Sequence, residues 1–252
     1  RIESIYERYP KGDAVMYDDF AFLRLIAETP QDDAPRLIYA DYLEESGQDD
    51  RVARAEFIRL QIRAAQLTNE EDVEFAKNSE RQRKLLETWH TKWLRPLASI
   101  PHCGLGNYSR GFLEGITITP TNFYVHSHHL IPQLPLQKLN LISWGREYEL
   151  QNACSTPEIL TLREIAVESY YDEALEQLKA FLDLPKFSRL QRLTLLGDMD
   201  VYRSSGSYEQ VFVEWQQRLQ AHFGPTFVVD FSKLDPVANF SRPESVDDAP
   251  RV

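Results

Sequence analysis

Residues 32–62 read DDAPRLIYADYLEESGQDDRVARAEFIRLQI, and the rest of the chain is read outward from them. Asp33 stands where a carboxylate can accept from the free amides of a first helical turn, and Pro35 needs no donor there. The spacing predicts a helix from Ala34 to about Ser46, with Leu37, Ile38, Ala40 and Leu43 as its apolar stripe. Gly47 can take the left-handed conformation that ends it. A second helix is predicted from about Asp50, with Ala53, Phe57, Leu60, Ala64 and Leu67 at alternating steps of four and three. The two are expected to pack as an antiparallel hairpin.

Two carboxylates fall beside these stripes, Asp41 and Glu56, while Arg36, Arg51, Arg54 and Arg59 lie within reach of a hairpin partner. A carboxylate half-buried in such a seam is tolerated when paired, so Asp41 is expected to form a structural ion pair with one of these arginines, Arg36, Arg54 and Arg59 being the candidates carried forward. The rival reading is a catalytic acid. It lacks a second carboxylate, metal ligand or nucleophile at fixed spacing.

The run FLRLIAETPQDDAPRLIYADYLEESG, followed by ARAEFIRLQ, resembles the bacterial repeat-companion domain, a short helical module found ahead of degenerate leucine-rich repeats. The family pattern is close to FLxAIxxxPxDDAPRLVYADWLEExGD followed by RAEFIRLQ, and the likeness is dense over residues 20–62. Tyr42 stands where the family usually has Trp, which keeps an aromatic, and the turn from Gln48 to Val52 is slightly longer. The segment LLETWHTKWLRPLA also resembles the stretch that comes after the module in its family. The resemblance implies a module known by the company it keeps, with no activity of its own to carry over.

At 252 residues the chain has room for one large or two modest domains with a substantial core. Hydrophobic content is 42% and no apolar run approaches membrane-spanning length, so the chain is expected to be soluble, with no membrane partner. Residue 1 is Arg, which reads as a trimmed or processed N-terminus and leaves room for a removed targeting segment. Cys103 and Cys154 alone make neither a disulfide framework nor a zinc ribbon, so a reducing cytoplasm is the expected location. The net charge of −11, with no run of arginines, argues against direct nucleic-acid binding and is compatible with a basic protein partner.

Residues 1–17 read as an N-terminal arm, extended or with a short helix, and 18–98 as the helical module. Asp18 or Asp19 should cap a helix running through Glu28, with Phe22, Leu23 and Ile26 on one side and a stop at Thr29 and Pro30. Thr68 with Glu71 forms a capping box for another helix, which is expected to run to Leu94. Its middle, KNSERQRK at 77–84, is entirely polar and is expected to be broken or exposed. Leu85, Leu86, Trp89 and Trp93 then restore the stripe.

Residues 99–234 change periodicity. The LxxLxL spacing of a leucine-rich-repeat strand occurs at Leu113, Ile116, Ile118; at Leu136, Leu139, Leu141; at Leu162, Ile165, Val167; and at Leu190, Leu193, Leu195. The third members are 23, 26 and 28 residues apart, inside the period of such repeats. Thr117, Asn140, Ala166 and Thr194 should point to the opposite face. Helices are expected at Pro120 to about Leu130, at 171–183 and at Tyr208–His222, with a fifth strand at Thr226–Phe231. The family's consensus asparagine, three residues past the third apolar position, is replaced by Thr121, Trp144, Tyr170 and Asp198. The expected fold is therefore α/β: an N-terminal helical module followed by a short, irregular leucine-rich-repeat-like solenoid with a parallel sheet. Residues 235–252, acidic and holding three prolines, read as a tail without a packed structure of its own.

The carboxyl ends of parallel strands are the usual binding edge of an α/β sheet. Here that edge holds the candidate protein-binding residues Trp144, Arg146, Tyr148, Tyr170, Tyr171, Tyr202, Arg203 and Tyr208, of the types that dominate interface hot spots. The bland alternative is that such rings cover the core beneath the loops. Three catalytic readings are weaker. His126 and His129 share a helix face and could take a metal if a third ligand approached. His102 beside Cys103 is only superficially a thiol nucleophile, since adjacent residues rarely face one another. Gly104, Gly106 and Gly111 precede a strand rather than linking strand to helix, so they suit an entry turn better than a phosphate loop. The sequence thus reads as a non-catalytic scaffold or adaptor needing no cofactor, bound to another protein such as an enzyme or regulator of the same system. A bacterial regulatory or defence assembly is suggested by the family's company. The alternatives are an inhibitor or substrate of an associated enzyme, and a metal-dependent hydrolase built on His126 and His129.

Overall fold

A computed structural model describes residues 14–67, 73–143, 147–169, 178–185, 189–198, 208–230 and 234–235. The helical part contains α1 (Ala14–Glu28), α2 (Ala34–Glu45), α3 (Asp49–Gln66) and α4 (Val73–Trp93). A single turn of tighter helix, Arg95–Leu97, leads out of it.

α2 starts at Ala34 as expected, but its cap bond and its buried face differ from expectation. Asp33 makes no side-chain cap; Asp32 accepts from the Ala34 amide at 2.9 Å instead. The buried positions are Pro35, Arg36, Tyr39, Ala40 and Leu43, while Leu37 and Ile38 are 39% and 56% exposed. The stripe at 36, 39, 40 and 43 has the same helical spacing as the predicted one but is turned along the helix, because Arg36 has carbonyls to bond. Its Nη1 donates to Asp32 O at 2.6 Å and its Nη2 to Pro30 O at 3.0 Å. Gly47 ends the turn with φ +65.

The α3 helix is buried on two sides. Ala55, Ile58 and Ile62 pack with Leu23, Ile26, Tyr39, Ala40 and Leu43, while Ala53 and Phe57 pack with Leu85, flanked by Trp89 and Trp93. α1 begins at Ala14, inside the segment expected to be an extended arm or a short helix. Asp19, expected near the helix start, lies within α1 and pairs with Arg51 at 2.9 and 3.0 Å. The polar middle of α4 is an unbroken part of the helix. Asn78 is buried and its Nδ2 donates to Leu60 O at 2.9 Å, Gln61 Nε2 donates to Gln82 Oε1 at 3.2 Å, and Arg81 pairs with Glu56. The capping box at Thr68 and Glu71 lies outside the described residues.

Beyond the helices come β1 (Gly104–Leu105), β2 (Tyr108–Ser109), β3 (Phe112–Leu113), β4 (Gly115–Ile118), α5 (Pro120–Gln133) and β5 (Lys138–Ser143). They are followed by α6 (Glu147–Cys154), β6 (Glu164–Ser169), α7 (Lys179–Leu182), β7 (Arg192–Asp198), α8 (Tyr208–Phe223), β8 (Val228–Asp230) and β9 (Leu234–Asp235). The order across the main sheet is β1-β4-β5-β6-β7-β8, with β9 also on β7; β1 is antiparallel to β4 and the other neighbours are parallel. β2 and β3 form a separate hairpin.

Register explains the core. Ile116, Leu139, Ile165 and Leu193 face one another across successive strands, as do Ile118, Leu141, Val167 and Leu195. All eight are buried, against Phe123 and Leu130 of α5, Leu150 of α6, Phe181 of α7 and Leu219 of α8. The alternate row, Thr117, Asn140 and Ala166, is half-buried on the opposite face. Of the predicted helix at 171–183, Lys179–Leu182 is observed and 171–177 lies outside the described residues.

The hairpin joins the two parts. At its turn Gly111 has φ +91, and a Cβ there would stand 2.5 to 2.9 Å from Ile58 of α3. Its amide donates to Gln61 Oε1 at 2.9 Å, so backbone lies directly on helix, and only glycine fits.

Candidate functional site

The amino ends of β4 to β7 meet the C-terminus of α1 in a polar seam. The last carbonyls of a helix lack partners within it, and its negative end favours cations. Here they are met from the sheet: Gln137 Nε2 donates to Ala27 O at 3.2 Å and Arg163 Nη2 to Glu28 O at 3.2 Å. Arg189 stands 3.4 Å from the Glu28 carboxylate. From the hairpin turn, Arg110 donates to Gln31 O at 2.9 Å and pairs with Asp33 at 3.4 Å.

This fastening leaves a recess of about 420 Å³ lined by Arg36, Arg110, Lys138 and Arg163, with Glu114 and Glu164 beside Lys138. Lys138 lies 3.4 Å from Glu114 and 3.6 Å from Glu164. Arg36 is only 6% exposed, and burial pulls its pKa down, Asp33 pushes it back up and Arg110 adds repulsion. Arg163 is lowered by burial and then by Arg189. Arginine is so basic that both stay charged at neutral pH. Three polar atoms at the rim are sealed from solvent without a hydrogen-bond partner: Arg36 Nε, Arg163 Nε and Gln137 Oε1.

The predicted structural ion pair resolves unevenly. Asp41 meets Arg59 at 2.7 Å, and Arg59 also meets Glu44 at 2.7 Å. Asp41 is 68% exposed, so this is a surface pair and not a carboxylate held in a seam. Arg36 serves the carbonyls described above, and Arg54 points elsewhere. The Arg54 guanidinium lies 4.8 Å from the Trp93 ring, 5.3 Å from Phe112, 5.6 Å from Tyr108 and 5.9 Å from Phe57. Its Nη1 and the Tyr108 hydroxyl are sealed from solvent with neither in bonding geometry to a partner. Burial lowers the Arg54 pKa, and Tyr108 partly offsets this.

Trp144, Arg146, Tyr170, Tyr171, Tyr202 and Arg203 lie outside the described residues. Tyr148 and Tyr208 fall in α6 and α8, and their side chains are likewise outside the described set. The recess, at the other end of the strands, was missed because its three arginines and one lysine come from four separate stretches. The dense arginine content of the 32–62 run was the one available signal.

His126 and His129 both line a groove of about 530 Å³ beside α5, with Arg95 in the same groove. A cation there would meet an existing positive charge. Among the described residues no group of three or more His, Cys, Asp and Glu side chains could hold a metal. Burial pushes the Cys103 thiol up, the opposite of what a nucleophilic thiolate needs, and Cys154 is pushed up further. Gly104 forms part of β1 and Gly111 the hairpin turn. No helix among the described residues is long and apolar enough to cross a membrane. Comparison of the chain with protein-family models, with curated proteins and with solved structures gives no match.

Proposed function

We propose that this chain is a non-catalytic scaffold that recognises another protein. Its helical module, similar in sequence to the repeat-companion domain, stands in front of a short, irregular α/β solenoid in the bacterial cytoplasm. The observation that carries the reading is the basic recess at the join of module and sheet, a local excess of cations on a chain whose net charge is −11. Such local charge steers and orients a protein partner more than it adds affinity. The solenoid reading is supported by the in-register aliphatic pairs of β4 to β7, in which each strand shields its neighbour as stacked repeats do. Membership of a regulatory or defence assembly rests on the sequence resemblance alone.

The test is affinity capture of the tagged full chain from lysate of its own source cells. A stoichiometric protein partner is expected. Capture of nothing above background across salt conditions would sink the reading, and so would turnover of a hydrolysable ester by the purified chain that depends on His126 and His129. Joint replacement of Trp144 and Tyr171 by alanine tests the carboxyl edge: weaker capture at unchanged melting temperature is expected if the partner also grips there.

A further inference from the structure

We infer that the recess between the loop entering α2, the hairpin turn and the amino ends of β4 to β7 takes an acidic segment of a polypeptide partner, with a carboxylate seated between Arg36 and Arg163. The inference rests on the scaffold reading and names the chemistry of the partner.

Charge is the first ground. Arg36, Arg110, Lys138 and Arg163 line the cavity against Glu114 and Glu164, and both carboxylates are already shared by Lys138. Arg110 has Asp33 as its counter-ion, and Arg189, outside the lining, has Glu28. No ion pair joins Arg36 or Arg163 to a carboxylate among the described residues: their donors go to backbone carbonyls. One buried and one half-buried cation thus face the cavity without a carboxylate in contact, and a carboxylate is the group that arginine's planar donors recognise.

Unmet hydrogen bonding is the second ground. Arg36 and Gln137 are both more than nine-tenths buried, at 6% and 9% exposure, and each has an orphaned atom: a donor at Arg36 Nε and an acceptor at Gln137 Oε1. Arg163 Nε adds a second orphaned donor. Buried polar atoms without partners are costly, and a ligand that both accepts and donates would relieve them once the Arg36, Arg163 and Gln137 side chains turn toward the recess. A peptide carries carboxylate and carbonyl acceptors together with amide donors. A phosphomonoester dianion would satisfy the arginines and leave Gln137 unmet, and the acidic chain repels a polyphosphate backbone.

The nearest rival occupant belongs to the chain itself. Residues 247–251, DDAPR, repeat residues 32–36 letter for letter, and they bring Asp247 and Asp248 with them. The experiment separates the two.

A fluorescent decaglutamate peptide is titrated into the full chain, with polarisation as the readout. Saturable binding is expected, weakening as NaCl rises from about 50 to about 300 mM because partly exposed charges are screened. Arg163→Gln and Lys138→Glu should each weaken binding by about tenfold, the scale of one charge-assisted contact. Lys138 is 45% exposed, so its replacement leaves folding intact even if Arg163→Gln loosens the join to Glu28. Loss in both variants at unchanged melting temperature supports the site. Equal binding by wild type and Lys138→Glu overturns it, as does displacement of the peptide by equimolar inorganic phosphate. Binding that emerges only in Asp247→Asn/Asp248→Asn overturns it in favour of the chain's own tail. Lysate capture that survives Lys138→Glu and Arg163→Gln leaves the scaffold reading standing while this inference falls. Absence of capture beside intact peptide binding does the reverse.

Discussion

Arg54 carries its charge into a pocket formed by Phe57, Trp93, Tyr108 and Phe112, with no carboxylate among the described residues to answer it. The rings supply part of the compensation through their negative faces, and the long stem fills space between α3, α4 and the hairpin. Arg54→Ala should therefore destabilise by about 2 to 4 kcal/mol in urea unfolding, through lost packing. Arg54→Met should stay within about 1 kcal/mol of wild type, because a buried, incompletely satisfied cation is often replaceable by an apolar side chain of similar reach. If methionine is as damaging as alanine, the cation itself is what holds the rings. Tyr39 gives a pH dependence. Burial, and then Asp19, push its hydroxyl well above the ordinary 10.0. A folded-state pKa raised in this way contributes stability that is present below the unfolded value and lost as pH rises past about 10. Tyr39→Phe should accordingly reduce the fall in melting temperature above that pH, at the cost of the Asp19 contact below it. The thiols offer a simpler check. Cys103, half-buried, should react with a thiol reagent slowly, and buried Cys154 only on unfolding.

At the scale of elements, α2 and α4 show where periodicity is informative and where it misleads. Helical spacing placed both helices but allowed two neighbouring stripes on α2. The outcome was decided by carbonyls of the preceding loop that Arg36 could reach, a partner pairing that hydropathy does not encode. Leu37→Ser should thus cost under about 1 kcal/mol, whereas Tyr39→Ala, on the buried face, should cost about 3. In α4 the polar run KNSERQRK was expected to be broken or exposed, and it is unbroken and mostly exposed. Asn78 and Gln82 bond the neighbouring helix, and Glu80, Arg81, Arg83 and Lys84 pair along or across the surface. Gly111→Ala is the sharpest test of the hairpin. It combines a positive φ with a Cβ inside contact distance of Ile58, so a loss of about 2 kcal/mol or more is expected. Hydrogen exchange should then accelerate at the α3–hairpin contact first.

For the whole molecule, the recurrent aliphatic spacing after residue 111 was enough to predict parallel neighbours. Side chains two apart on a strand share a face, and four such pairs at repeat-like intervals can bury one another only by stacking. The register that pairs Ile116 with Leu139, Ile165 and Leu193 is the direct consequence. Leu139→Ala, inside that stack, should cost about 3 kcal/mol and lower a single melting transition, since the hairpin ties the helices to the sheet. The binding surface was not readable in the same way. The carboxyl-end candidates lie outside the described residues or have side chains that do, while the basic recess at the amino ends draws Arg36 from α2, Arg110 from the hairpin, Lys138 from β5 and Arg163 from the turn before β6. What the sequence determined by itself was the helices of the first part, the four central parallel strands and the buried row of the sheet, because those depend on local periodicity; α6, β1, the hairpin and β9 carried no such signal. Only the tertiary structure decided which cations share a cavity and which of them lack an ion-pair partner among the described residues. Electrostatic interaction depends on distance in space, and residues 36 and 163 become neighbours only when the end of α1 is fastened to the sheet.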